Sequence, residues 1–262
     1  MRIILILLLA FSCVRADSGS ELRAALARLN GREPVRVRVD YQSIGREGDA
    51  NKPAGGEPAA TAIVEDGPEG LRIFWSRALM QTVGEEVAAQ ARDPDKRAPT
   101  RRAMDDLSAT RLNGYLNAAP GLIQRLDEAQ LVDEKTDTLE GRPVRVLTFK
   151  FTPHLNERSR KFVKEIEITG KLWVGADGVP VAAENRSRVK GRAYLVISFE
   201  SSEAEEYRFR QAGDRLLVMR HVKENSGSGG GESSHQKTIA NLVLDDTGSP
   251  PPAPDQLAAR SK

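Results

Sequence analysis

The stretch 161-KFVKEIEITGKLWVGADGVPVAAENRSRVK-190 decides how this chain is read. From Phe162 to Val174 the even positions Phe162, Ile166, Ile168, Leu172 and Val174 are apolar, while Glu165, Glu167, Thr169 and Lys171 occupy odd ones. A period of two is the signature of a strand with one buried and one wet face. Asp177-Gly178 predicts a two-residue type I′ turn, because that dipeptide tolerates the positive φ angles the turn requires. Folding the stretch about that turn sets Val174 against Val181, Leu172 against Ala183 and Ile166 against Val189. The other face then pairs Glu165 with Lys190, Glu167 with Arg188 and Lys171 with Glu184. Like meets like on one side and opposite charges meet on the other, a match that a one-residue slip destroys.

Working outward, the alternation continues. After Gly191, residues Ala193, Leu195, Ile197 and Phe199 alternate with Tyr194, Val196, Ser198 and Glu200, and Ser201-Ser202 predicts a turn. EAEEYRFRQ (203–211) and RLLVMRHV (215–222) flank a loop at Ala212-Gly213-Asp214. A three-residue loop there sets Tyr207 opposite Met219, Phe209 opposite Leu217 and Glu206 opposite Arg220. Upstream, RPVRVLTFKF (142–151) adds a strand after Glu140-Gly141, and HQKTIANLVL (235–244) adds a last one after a flexible NSGSGGGESS loop (225–234). The expected product is a broad antiparallel meander with one greasy and one charged face.

The N-terminal part has its own strands and then a change of period. SELRAALARL (20–29) reads as a helix capped by Ser20, with Leu22, Ala25, Leu26 and Leu29 on one side. PVRVRVDYQS (34–43) alternates Val35, Val37, Val39 and Tyr41 against polar residues; a mobile glycine- and proline-rich loop is expected over 45–58. AATAIVED (59–66) and LRIFWSR (71–77) complete this set of strands. From Arg77 to about Arg92 the spacing of Leu79, Val83 and Val87 is helical. A second helical stretch from Thr100 places Met104, Leu107, Leu112 and Tyr115 on one stripe, and a third begins at Pro120 with Leu122, Ile123 and Leu126 inward. Helices over about 77–130 are thus inserted between two runs of strands.

Composition narrows the function. Charged residues are 29% of the 262 and aromatics 5%, so the core must be built mostly from Val, Leu and Ile. With a net charge of +2 and arginines interleaved with glutamates, no basic stripe for nucleic acid forms. Arg2, the apolar run Ile3–Phe11 and the small residues around Ala16 read as a cleaved export signal, residues 1–16. The alternative is a lipoprotein box anchored at Cys13, the sole cysteine. The remainder reads as one β domain, 17–246, and a disordered Pro-rich tail, 247–262.

Catalytic constellations are not found in the sequence. His154, His221 and His235 lie in separate segments without the spacing of a metal site, and each is expected at the surface or rim. No Gly-x-Ser-x-Gly elbow occurs, and the Gly227–Gly231 run lacks the lysine and helix of a phosphate loop. Glu165 and Glu167 are explained as rungs of a charged ladder. No catalytic residue, metal or cofactor is therefore expected.

The order of elements resembles a known family. An exported precursor opens on SELRAALARL, a first strand follows, helices are inserted midway through a meander, and LWVGADGVPVAAE (172–184) carries a Trp and an Asp-Gly turn. This is similar to the periplasmic LolA/LolB lipoprotein carriers of outer-membrane lipoprotein sorting and their mycobacterial lipid-binding relatives. The resemblance implies an α+β, mainly antiparallel fold: an unclosed, strongly curved half-barrel with helices covering its concave face. It also implies a non-enzymatic, monomeric, periplasmic or secreted carrier of lipid or lipoprotein acyl chains, with membrane-bound donor or acceptor proteins as partners. The chains would lie against Val37, Val39, Tyr41, Ile73, Trp75, Ile166, Ile168, Leu172, Val174, Leu195, Ile197 and Phe199, beneath a lid of Met104, Leu107, Leu112 and Tyr115. Burial gains about 0.8 kcal/mol per methylene, or about 10 kcal/mol gross for one chain. The other class left open is a periplasmic scaffold with a dry core.

Overall fold

The computed structural model describes residues 18–47, 58–153, 155–193 and 197–245. The export signal with Cys13, the glycine-rich 51–56, His154, Leu195 and the tail lie outside the described residues. In chain order the elements are α1 (Ser18–Ala27), β1 (Val35–Glu47), β2 (Ala59–Gly67), β3 (Gly70–Trp75), α2 (Arg77–Arg92), α3 (Pro99–Asp106), α4 (Ala109–Leu116) and α5 (Ala118–Asp127). There follow β4 (Ala129–Leu139), β5 (Arg142–Phe151), α6 (Glu157–Arg160), β6 (Val163–Val174), β7 (Pro180–Ala193), β8 (Ile197–Ala212), β9 (Arg215–Gly229) and β10 (Glu232–Leu244). The ten strands form one antiparallel sheet in the order β3-β2-β1-β10-β9-β8-β7-β6-β5-β4, so it is unclosed, with β3 and β4 at its edges. The class is α+β.

The β6–β7 ladder has the register that alternation predicts from Glu165–Lys190 to Trp173–Ala182. Its tip differs. Gly178, at φ +80°, is the left-handed residue of a loop in which its N–H bonds to Gly175, and the Gly175 N–H to Val179. Asp177 instead uses its carboxylate to accept the Val179 N–H at 3.0 Å. The turn is therefore a three-residue loop with a glycine bulge, not a type I′ pair, and Val174 faces Pro180 in place of Val181.

Further expectations are corrected. Ser201-Ser202 is not a turn: both lie in β8, opposite Val189 and Arg188, and β7 and β8 pair antiparallel as far as Ala193 and Ile197. Tyr207 faces His221, because a two-residue turn at Gly213 (φ +56°) and Asp214 plus a bulge at Arg208/Phe209 displace the β8–β9 register. The NSGSGGGESS loop shrinks to Gly230-Gly231, both left-handed, while its flanks pair as strand. Likewise 45–47 continue β1 against β10. The stretch from Thr100 to Tyr115 breaks into α3 and α4 at Ser108, whose hydroxyl caps α4 by accepting the Arg111 N–H. Strand β4 follows directly on α5, so Gln130, expected at the end of the helices, is strand, and α1 begins at Ser18, ahead of Ser20.

Two hydrophobic clusters hold the helices to one face of the sheet. The first joins Val37, Val39, Tyr41, Ala62, Val64, Leu217 and Leu242 of the strands to Ala103, Leu107, Leu112 and Leu116 of α3, α4 and the link between them. The second joins Leu22 and Leu26 of α1 and Leu126 of α5 to Leu147, Leu172 and Val174. Each fully enclosed leucine contributes about 1.5–3 kcal/mol relative to an exposed one. Tyr207 and Phe209 touch both clusters, their rings stacked 5.9 Å apart.

Arg215, 2% exposed, ties the β8–β9 tip to the start of β1 and the end of β2. Its Nε donates to the Glu33 carbonyl and its Nη1 to Asp66 Oδ2 at 2.7 Å. Beside it the Asp214 carboxylate accepts the N–H groups of Arg32 and Glu33 at 2.8 and 2.9 Å. Removing one partner of such a pair leaves an enclosed charge uncompensated. Arg215→Met should cost about 3–5 kcal/mol in urea denaturation; a loss below about 1 kcal/mol would show that the pair is dispensable.

Candidate functional site

The lining residues proposed from sequence do not converge on one space. Val37, Val39, Tyr41, Leu107, Leu112 and Tyr115 pack against one another in the first cluster, with Ile73 and Trp75 at its border. The first six are at most 5% exposed, so the side chains expected to form a lid act as core. Met104 of α3 is half-buried. Leu172 and Val174 belong to the second cluster. Ile166, Ile168 and Phe199 are half-buried and in neither cluster. By alternation Ile166 and Ile168 share the face of Leu172, opposite Val189 and Ser187. Phe199 lies over glycine: a Cβ at Gly191 would meet its ring, and one at Gly229 its own Cβ. Ile197 ends the β7–β8 pairing opposite Ala193.

Between the helices and this strip lies a polar group that sequence reading did not pick out. Tyr207 Oη donates to Glu205 Oε2 at 3.0 Å, and Lys223 Nζ stands 3.4 Å from Glu205 Oε1 and 2.7 Å from Glu203. The His221 ring stacks on Tyr207 at 4.3 Å, and its Nδ1 is 2.9 Å from the Tyr115 hydroxyl of α4. His221 Nε2 is enclosed without a hydrogen-bond partner; Glu205 Oε1, at 3.8 Å, is an electrostatic neighbour only. The rim position expected of His221 is thus corrected: its side chain is 12% exposed. His235 is exposed. The signal was available, since Glu203 and Glu205 occupy the same alternate set as Tyr207, where a greasy face should have been.

Burial works against ionisation of Glu205, but His221, the Lys223 ammonium and the Tyr207 hydroxyl outweigh it and hold the carboxyl at about 2. Burial, with Glu205 and Asp106 nearby, pushes the Tyr115 hydroxyl up to about 12 against the opposing Arg111. Burial and Glu205 likewise raise Tyr207; burial and the hydrogen bond to Asp106, 2.8 Å long, raise Tyr41. At neutral pH these phenols keep their protons, Tyr207 donating to Glu205 and Tyr41 to Asp106. Such groups hold a polar ligand well, and tyrosines that keep their protons are poor nucleophiles.

An open groove of about 740 Å³ lies elsewhere, where β1, β2, β3 and β10 meet the start of α2. Ile63, Phe74, Trp75, Leu79 and Ile239 give it apolar walls, and Asp40, Thr61 and Asn241 polar ones. Most of these alternate with core positions and so face away from α3 and α4. Among the described residues no cluster of three or more His, Cys, Asp or Glu side chains is placed to hold a metal. Compared with known protein families and with curated proteins, the chain matches none.

The depressed Glu205 carboxyl makes stability depend on pH within a defined window. A folded value near 2 against an ordinary 4.5 stabilises the fold fully above about pH 4.5, by up to about 3 kcal/mol, and fades as pH falls toward 2. Urea midpoints of wild type and Glu205→Gln should therefore differ most at pH 7 and converge toward pH 3. A constant difference over that range would contradict the assignment.

Proposed function

We propose that this protein binds an acyl-chain amphiphile without transforming it, as an exported carrier of lipid or lipoprotein chains. In this reading the sheet bends as a half-barrel about α3–α5, which close off one part of its concave face. The acyl chain lies beside these helices, along Ile166, Ile168, Val189 and Phe199. The observation that carries the reading is that strip: four half-buried apolar residues sharing the face of the core yet claimed by neither cluster. Ile166, Ile168 and Phe199 were expected as lining from the sequence; Leu107, Leu112 and Tyr115 act here as the wall beside the ligand and not as a roof over it. Ligand reaches and leaves the strip without breaking the leucine-rich packing, which suits a protein that must release what it holds.

A scaffold with a dry core is the second reading, and the groove favours it. Phe74 there is 37% exposed, and Met80 and Val87 of the adjoining α2 are 45% and 43% exposed. Under that reading Phe74→Asp, and not a change in the strip, abolishes the cellular role.

Titration of delipidated protein with a fluorescent fatty acid separates the two. A carrier shows saturable binding, weakened at least tenfold by Ile168→Glu and untouched by Val243→Glu, which lies in β10 at a position 46% exposed. Absence of saturable binding, or equal affinity of Ile168→Glu protein with an unchanged circular dichroism spectrum, would remove the carrier reading.

A further inference from the structure

Resting on the acyl-binding reading, we propose that His221, Glu205 and Lys223 form a subsite for a hydroxyl group on an uncharged, polyol-type head of the bound amphiphile. The argument begins with protons. The Tyr115 hydroxyl keeps its proton and sits 2.9 Å from His221 Nδ1. The Glu205 carboxylate stands on the other side of the ring, 3.8 Å from Nε2. Nε2 faces a carboxylate, which only accepts, so the ring nitrogen on that side bears a hydrogen and is the donor. That enclosed N–H has no acceptor at hydrogen-bond distance. Leaving it unmet costs about 1–3 kcal/mol, so a polar atom belongs there.

The neighbours decide which kind. Glu205 Oε2 is engaged by Tyr207, while Oε1 is approached by Lys223 at 3.4 Å, beyond a strong hydrogen bond. Oε1 is therefore an anionic acceptor beside an unmet donor. A hydroxyl answers both, accepting from His221 Nε2 and donating to Glu205 Oε1. A carboxylate or phosphate meets two carboxylates, Glu203 and Glu205, against one ammonium that both already engage. An ammonium head brings only donors and leaves Nε2–H unmet. The uncharged hydroxyl is the chemistry that satisfies the cluster.

Position agrees with this role. Glu205, Glu203, Ser201 and Phe199 succeed one another on one face of β8, so the carboxylate and the aromatic ring lie about 20 Å apart along the strand. That is on the order of a long acyl chain. Glu203 faces Ser187, and Ser187 faces Ile168, which brings the apolar strip within two strand spacings of the head, about 10 Å. Lys223 and Glu203, at 29% and 40% side-chain exposure, leave the cluster open on that side.

The experiment compares two ligands with one chain: monopalmitoylglycerol and palmitate, titrated at pH 7 into delipidated full-length protein and followed by native mass spectrometry. The proposal expects the glycerol ester to bind at least tenfold more tightly, with that ratio falling to about one in His221→Phe protein. Should His221→Phe fail to fold, Glu205→Gln must lower the same ratio. Binding of both ligands with equal affinity overturns the subsite and leaves acyl binding standing. A preference that survives both substitutions also overturns it. Binding of neither ligand overturns the subsite together with the carrier reading.

Discussion

A mismatch of lengths governs this molecule. Strand β8 has 16 residues and spans about 50 Å, whereas α3 and α4 have eight each and span about 12 Å. The helices that pack on the sheet are too short to bury its whole face. Where they reach, leucines and valines fill the space between the layers and exclude water. Where they stop, alternation still delivers every second side chain of β6–β10 to the same face, and those side chains are polar, glycine, or apolar and only half-buried. All three occur: Glu203, Glu205 and Lys223; Gly191, Gly227 and Gly229; Ile166, Ile168 and Phe199.

The junction between the two regions falls on Tyr207. Its ring joins both clusters, stacks on Phe209 toward the core and on His221 toward the polar group, and its hydroxyl anchors Glu205. The bulge at Arg208/Phe209 puts Tyr207 opposite His221. Without it the stacked pair could not form. Lys223 then neutralises much of the charge that two glutamates place on a face shared with a core, so burial of Glu205 is tolerated.

Much of the architecture was legible because alternation is a physical signal. Val37, Val39 and Tyr41, the α1 face of Leu22, Ala25 and Leu26, and the β6–β7 register all follow from which side chains must avoid water. What was not legible depended on local competition. Asp177 met a turn N–H with its side chain, which no dipeptide preference specifies. Ser202 and Ser226, which look like turn formers, bond to each other across β8 and β9 at 2.7 Å. Glu167 lies opposite Arg188 as expected, yet the arginine reaches sideways to Glu200 at 2.7 Å. A long flexible side chain chooses among several carboxylates at little cost, so backbone register does not fix ion pairing. The pairing inside the candidate site was hidden for a related reason: Glu203 and Glu205 mark its place on the greasy face, but a bulge sets Tyr207 opposite His221, and no residue type announces one.

The central proposal divides one sheet face between a packed core and a half-buried strip that takes ligand. Methyl-labelled isoleucine and leucine spectra recorded during titration with palmitate test it most directly. The account predicts large shifts at Ile166 and Ile168 while the methyls of Leu112 in α4 and Leu217 in β9, both fully enclosed, stay in place. Shifts concentrated at Leu112 and Leu217 with Ile166 and Ile168 unmoved would contradict it, because the helices would then be a lid that opens and the packed region the true cavity.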